Sequence, residues 1–229
     1  MLKRVVFLCC FPAFVVFFAP ALKAQRFLGA ISLGMNLTQV DGDEFFGYHK
    51  IGLNVGPMIA VPFGKNKNWS VSMELLYSQK GSKHTGGTDS TSYKITLDYA
   101  EVPILVHFTD KKLISGGLGV AYGRIINYKE TKNNFYDSVF HYQNELSNNE
   151  FSVLADLQIR LFSKLWAGLR YQYTMKSIHT VIVTDPTAYP RTSVTRYQYN
   201  NVITVRLTWV FNQEKISKIP KKQSSSESF

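Results

Sequence analysis

Phe27-Leu28-Gly29-Ala30-Ile31-Ser32-Leu33-Gly34-Met35-Asn36-Leu37-Thr38 and, after a polar interval, Ile51-Gly52-Leu53-Asn54-Val55-Gly56-Pro57-Met58-Ile59-Ala60-Val61-Pro62-Phe63 decide the fold. In the first stretch Phe27, Gly29, Ile31, Leu33, Met35 and Leu37 share one parity, and Ala30, Ser32, Gly34, Asn36 and Thr38 the other. In the second, Ile51, Leu53, Val55, Pro57, Ile59, Val61 and Phe63 oppose Gly52, Asn54, Gly56, Met58 and Ala60. Side chains alternate between faces along a strand, so each stretch has an oily side and a small or wet side. Strands of soluble proteins run about five or six residues, whereas a tilted strand crossing a bilayer needs about 9–11. Length and alternation together predict a transmembrane β-barrel.

The signature recurs along the chain. Strands are predicted at 26–38, 50–63, 69–80, 92–108, 113–128, 151–162, 165–176 and 198–211. The connections alternate in length: 64–68, 109–112 and 163–164 are short, whereas 39–49, 81–91, 129–150 and 177–197 are long and polar. Outer-membrane barrels have an even strand number, short periplasmic turns and longer extracellular loops. The expected fold class is therefore all-β, an eight-stranded antiparallel up-and-down barrel of the cell outer membrane, with both ends in the periplasm. Phe27, Phe63, Trp69, Phe108, Trp209 and Phe211 fall near the short-turn ends, and Tyr77, Tyr93, Tyr128, Phe151, Tyr173 and Tyr199 near the long-loop ends. Two aromatic bands suit the two headgroup levels of a bilayer. The fourth strand changes phase, because Tyr93, Ile95, Leu97 and Tyr99 share one parity and Val102, Ile104, Val106 and Phe108 the other. A β-bulge near Glu101-Val102-Pro103 is expected to restore the outward face.

The barrel is assigned to 25–211. Ahead of it, 1–24 reads as a signal peptide: Lys3 and Arg4, an apolar run from Val5 to Ala19, then small residues at Ala19, Ala21 and Ala24. Both cysteines, Cys9 and Cys10, lie in that leader, so the mature chain is expected to have neither disulfides nor thiolate metal sites. Losing Lys3, Arg4 and Lys23 lowers the formal charge from +10 to +7. After the barrel, 212–229 reads as a basic, Ser-rich periplasmic tail without fixed structure.

On the inward parity, Glu74, Asp98, Glu101 and Asp156 face Arg160, Arg170 and Arg206. Eight strands enclose an interior just wide enough for side chains to fill it, and buried charges must pair. These seven residues are expected to form a lumenal charge network that plugs the barrel, against the alternative of an ion path. His49, His84, His141 and His179 sit on separate long loops and His107 near the end of a strand, without the close spacing of a metal site. Ser177 with His179, or Ser82 with His84, would be the pair of a lipid-modifying enzyme at the outer rim, but no acidic orienter accompanies either. Gln39 to Glu44 cluster oxygens without the distal glutamate of a calcium loop. The chain is read as non-enzymatic and without cofactors.

Charge asymmetry says more. Short turns and tail carry Lys65, Lys67, Lys111, Lys112, Lys164, Lys215, Lys218, Lys221 and Lys222 against Asp110, Glu214 and Glu227, nine minus three, or +6. This basic periplasmic face suits anionic headgroups, peptidoglycan or an acidic partner domain. Nucleic acid is not an expected partner in that compartment.

Gly34-Met35-Asn36-Leu37 followed by Gln39-Val40-Asp41-Gly42-Asp43 resembles the first strand and loop of PorT-like outer-membrane β-barrel proteins of Bacteroidetes. Ile51-Gly52-Leu53-Asn54-Val55-Gly56 and Glu74-Leu75-Leu76-Tyr77-Ser78-Gln79-Lys80-Gly81 continue the likeness. So does Tyr99-Ala100-Glu101-Val102-Pro103-Ile104-Leu105, where the family shows Tyr-x-Glu-[Ile/Val]-Pro. The resemblance covers residues 26–211 and implies an eight-stranded outer-membrane barrel, usually without assigned activity. The member that names the family is implicated in type IX secretion, and that role is not transferred, since the likeness is to the broad family. The expected function is a structural or accessory subunit of an envelope complex for secretion, assembly or transport. Its expected contacts are outer-membrane lipid and a protein partner at the lipid face or the periplasmic tail. The alternatives are a small pore or transport component and, behind it, an outer-leaflet lipid-modifying enzyme.

Overall fold

Residues 27–42, 47–85, 92–132, 140–142, 146–184 and 193–211 are described by the computed structural model. Residues 1–24, read as a signal peptide, and 212–229, read as a periplasmic tail, lie outside the described residues. The strands are β1 (Leu28–Asp41), β2 (Lys50–Phe63), β3 (Trp69–Glu74), β4 (Leu76–Thr85), β5 (Ser92–Asp110), β6 (Ile114–Lys132), β7 (Phe140–Tyr142), β8 (Asn149–Arg160), β9 (Leu165–Thr174), β10 (His179–Thr184) and β11 (Ser193–Val210). All pairings are antiparallel. They run β1–β2–β3/β4–β5–β6–β8–β9–β11 and close on β1, from Ala30 opposite Val210 to Asp41 opposite Tyr199. With β3 and β4 as halves of one stave, this is a ring of eight, and closure leaves no free sheet edge within it.

The alternation sorts as read. Ile31, Leu33, Met35, Ile51, Leu53 and Ile59 are exposed, while Ala30, Ser32, Asn36, Asn54, Met58 and Ala60 are buried. An oily outside and a polar inside is the arrangement that a bilayer selects for a barrel. Phe63, Trp69 and Phe108 form a row of exposed rings near the short turns, with centroids 6.4 and 5.0 Å apart. Toward the long loops, Tyr122 meets Phe151 at 5.1 Å and Tyr173 meets Tyr199 at 6.0 Å.

Three features differ from the sequence expectation. The stave read as 69–80 is interrupted at Leu75, between β3 and β4, with its register unchanged on either side. Leu75 N–H donates to the Pro57 carbonyl at 3.0 Å. Continuing the registers sets Leu75 beside Pro57 and Glu74 beside Pro103. Neither proline has an N–H to complete the ladder.

The expected bulge at Glu101-Val102-Pro103 is absent. Ile95, Leu97, Tyr99, Glu101, Leu105 and His107 are all buried on one unbroken parity of β5. The apparent phase change arises because Ile95 and Leu97 are apolar residues on the inward face, so they point into the lumen beside buried polar side chains rather than to lipid. The register shift lies instead on the partner strand, where Asp98 faces Asn127 and Tyr99 faces Ile125, leaving Ile126 as the extra residue of β6.

Beyond the membrane span the sheet continues upward. β10 pairs with the first part of β11 and with β7, in stretches read from sequence as loop. The β-branched run Thr180-Val181-Ile182-Val183 carries the propensity for it.

Candidate functional site

Inward side chains stack in three levels along the lumen. In the lower charge layer, Glu74 at the end of β3, Asp156 on β8, Arg170 on β9 and Arg206 on β11 converge from four staves. Arg170 clamps Glu74 with two bonds, Nη1 to Oε2 at 3.0 Å and Nη2 to Oε1 at 2.7 Å. Arg206 Nη1 donates to both Glu74 oxygens at 3.1 and 2.9 Å, and its Nη2 to Asp156 Oδ2 at 2.6 Å. Arg170 Nη2 reaches the same Asp156 oxygen at 3.4 Å. Two cations meet two carboxylates, and all four residues are at most 5% exposed. Gly34 makes the space for Arg206, which it faces in the β1–β11 register: a Cβ there would lie 2.6 Å from the Val205 carbonyl and 2.7 Å from Arg206 Cβ.

The upper layer centres on Lys80 of β4, which is fully buried. Its ammonium bonds to Glu101 and, at 2.7 Å, to Glu150 of β8. It also lies 4.9 Å from the Tyr99 ring centroid, at cation–π distance. One cation here faces two carboxylates, so neutral donors share the remaining negative charge. Asn200 Nδ2 donates to Glu150 at 2.6 Å, Ser152 Oγ to Glu150 at 2.7 Å, and Gln172 Nε2 to Glu101 at 3.0 Å.

The third level is a vestibule at the short-turn end, a cavity of about 220 Å³. One wall is apolar: Ala30, Met58, Trp166 and Val210 form a buried cluster with Leu28 against it. The other is polar and includes Ser70, Ser72, His107, Ser115 and Gln158, while Lys67, Lys112 and Arg160 stand at the mouth. Ser72 Oγ and His107 Nε2 are 2.9 Å apart. The imidazole rests over Gly117, where a Cβ would lie 2.4 Å from Nδ1. Among the described residues no carboxylate hydrogen-bonds that ring.

The seven charges expected in one network are distributed differently. Glu74, Asp156, Arg170 and Arg206 are brought together, and Glu101 belongs to the upper layer. Arg160 does not join either layer: it lies at the rim, and its guanidinium donates to the Phe162 and Ser163 carbonyls at 3.1 and 2.9 Å. A half-buried guanidinium one turn from solvent is satisfied by its own turn. Asp98 does not belong to the lumenal parity at all: on the unbroken β5 it takes the outward parity opposite Gln79, where the amides of Gln79 and Asn127 hold it at 2.9 and 3.0 Å. Sequence reasoning missed Lys80 and Glu150. Lys80 shares the inward parity of Glu74 and Ser78, and Glu150 that of Ser152 and Asp156, so the parity carried the signal. Glu150 was lost by starting the strand one residue too late.

Of the basic face, Lys65, Lys67, Lys111 and Lys112 are exposed on the short turns and Lys164 is half-buried. Lys215, Lys218, Lys221 and Lys222 lie outside the described residues. Of the rim pairs considered for catalysis, Ser82 is buried and lumen-facing, while the His84 side chain lies outside the described residues.

A closed ring of long strands with an oily outside, aromatic bands and a charged interior defines a small outer-membrane barrel. The family described as "Outer membrane protein beta-barrel domain" matches residues 23–180, more than half of the chain, and the chain belongs to that family. Its place is the outer membrane. No curated protein sequence matches it. Among solved structures it is similar to Ail, the attachment invasion locus protein of Yersinia pestis, in complex with the heparin analogue sucrose octasulfate. The identity is 12% over 81% of this chain and 99% of that one, with a TM-score of 0.45. Neisserial surface protein A is 11% identical over 81% of this chain and 96% of its own, at 0.40. The outer membrane protein OprG from Pseudomonas aeruginosa is 13% identical over 81% and 94%, at 0.36. Similarity at this level has no bearing on what the chain does.

Proposed function

We propose that this chain is a non-enzymatic, non-conducting outer-membrane barrel that serves as a structural or accessory subunit of an envelope complex. The observation that carries the reading is the double closure of the lumen. Two successive layers of buried charges, Arg170–Glu74–Arg206–Asp156 and Glu101–Lys80–Glu150, draw side chains from five of the eight staves across the interior. Moving an ion through would require breaking pairs whose members have no water to fall back on, at several kcal/mol each. With no through-path, the surfaces left for function are the lipid face, the extended extracellular strands and the basic periplasmic turns. The likeness of Glu74–Gly81 and Tyr99–Leu105 to PorT-like barrels supports the same reading and is part of the proposal.

Two measurements test it. The purified barrel in planar lipid bilayers bathed in potassium chloride is expected to pass no steady current, and reproducible single-channel steps would overturn the non-conducting reading. A tag inserted between residues 133 and 139 then allows extraction from native membranes in mild detergent. A stoichiometric envelope protein is expected to accompany the barrel, and recovery of the barrel alone would overturn the accessory role.

A further inference from the structure

Among the described residues of the short-turn end, Lys65, Lys67, Lys111, Lys112, Lys164 and Arg160 face a single acid, Asp110. Lys67, Lys112 and Arg160 converge on the mouth of the vestibule, and no carboxylate is among the residues lining it. The backbone adds an independent observation. Lys67, Lys111 and Lys112 have φ values of 55°, 46° and 57°. This left-handed region favours Gly, Asn or Asp in tight turns, so turn geometry does not select lysine at any of the three. An unfavoured backbone conformation retained at such residues points to a role for their side chains.

The occupant follows from size and position. A cavity of about 220 Å³ is below the ~300–1,000 Å³ usual for small-molecule sites, but it suits one side chain laid against Leu28, Met58 and Trp166. The ring of cations is wider than the cavity, so whatever enters is one part of a larger acidic surface. Leaflet headgroups surround the barrel wall, whereas this cavity lies inside it. The chain's own tail has Lys215, Lys218, Lys221 and Lys222 against Glu214 and Glu227, and the basic mouth repels it.

We propose that the periplasmic vestibule and its lysine ring dock an acidic protein segment, which seats one apolar side chain against Trp166. The proposal rests on the accessory-subunit reading and names the face and the chemistry of the partner.

The test uses the barrel folded into phosphatidylcholine nanodiscs. The probe is a labelled, end-capped peptide with one leucine flanked by aspartates and glutamates. Its controls are a version with lysines for the acids and one with serine for the leucine. The acidic peptide is expected to bind with an affinity that falls as salt rises, and the serine version to bind more weakly. The Lys67→Gly/Lys112→Gly variant is expected to bind about tenfold more weakly or worse. Glycine suits both turn positions, so retained heat-modifiability on a gel confirms that this variant is folded. Equal affinity of variant and wild type would overturn the proposal, as would equal binding of the lysine peptide. So would phosphatidylglycerol vesicles that compete with the same lysine dependence, since the face would then be a lipid contact.

Co-purification separates this site from the broader reading. A partner retained by the double variant overturns the vestibule as docking site and leaves the accessory role standing. Peptide binding at the vestibule with no partner from native membranes supports the site and removes that role.

Discussion

Glu74 accepts four bonds, two from each arginine of the lower layer, and is 1% exposed. Glu74→Ala leaves Arg170 and Arg206 with Asp156 alone, two positive charges against one negative, or +1 in a site without water access. Summing four charge-assisted bonds at about 1.5–3 kcal/mol each would overshoot, because the arginines partly regroup on Asp156. The relevant quantity is the cost of leaving a buried charge uncompensated, about 3–5 kcal/mol. At a urea dependence of about 2 kcal/mol per molar, the unfolding midpoint should fall by about 2 M. The assay is equilibrium unfolding of the barrel in lipid vesicles, followed by tryptophan fluorescence and by heat-modifiability. Glu74→Gln, which keeps the size and loses the charge, should fall near the alanine variant. Glu74→Ala/Arg170→Ala restores one cation to one carboxylate, so its loss should be smaller than the sum of the single losses by about 2 kcal/mol. A midpoint for Glu74→Ala within about 0.3 M of wild type, or strict additivity in the cycle, would refute a dry, mutually dependent layer.

The two arginines that share a parity but not a role should separate in the same assay. Arg170→Ala is expected to cost about 3–5 kcal/mol, whereas Arg160→Ala, bonded among the described residues to exposed turn carbonyls, should cost under about 1 kcal/mol. Lys80→Met leaves Glu101 and Glu150 facing one another without their cation, and a loss of about 3–5 kcal/mol in unfolding free energy is expected. Gly117→Ala would press a methyl into the His107 ring and break its bond to Ser72. A loss of about 1–3 kcal/mol should follow, much of it relieved in a His107→Ala background.

The legible part of this chain was the part with a period of two. Ile31, Leu33 and Met35 against Ser32, Asn36 and Thr38 assign faces without any partner being known, because strand geometry alone alternates the side chains. Short and long connections gave the up-and-down order, and aromatic spacing gave the two bands. Errors arose where the local pattern was read as if every apolar residue faced lipid. Ile95 and Leu97 point into the upper lumen, which mimics a phase change where the strand has none. The break at Leu75 likewise depends on Pro57 and Pro103 of two neighbouring staves, not on residues of its own strand.

By itself, then, the sequence determined the eight staves, their inward and outward faces, the closed barrel class and the basic short-turn end, since each follows from local alternation and loop length. Tertiary structure alone decided which inward charges meet. Glu74 bonds arginines 96 and 132 positions away in the chain, Lys80 reaches Glu150 at a separation of 70, and Ser72 finds His107 at 35. Those pairings depend on barrel radius and on the stagger between staves, which set the height of each residue and the distance across the lumen. Parity places a charge inside, and the closed ring then determines which partner it meets: Arg170 reaches Glu74 across the lumen, whereas Arg160 at the rim bonds the carbonyls of its own turn.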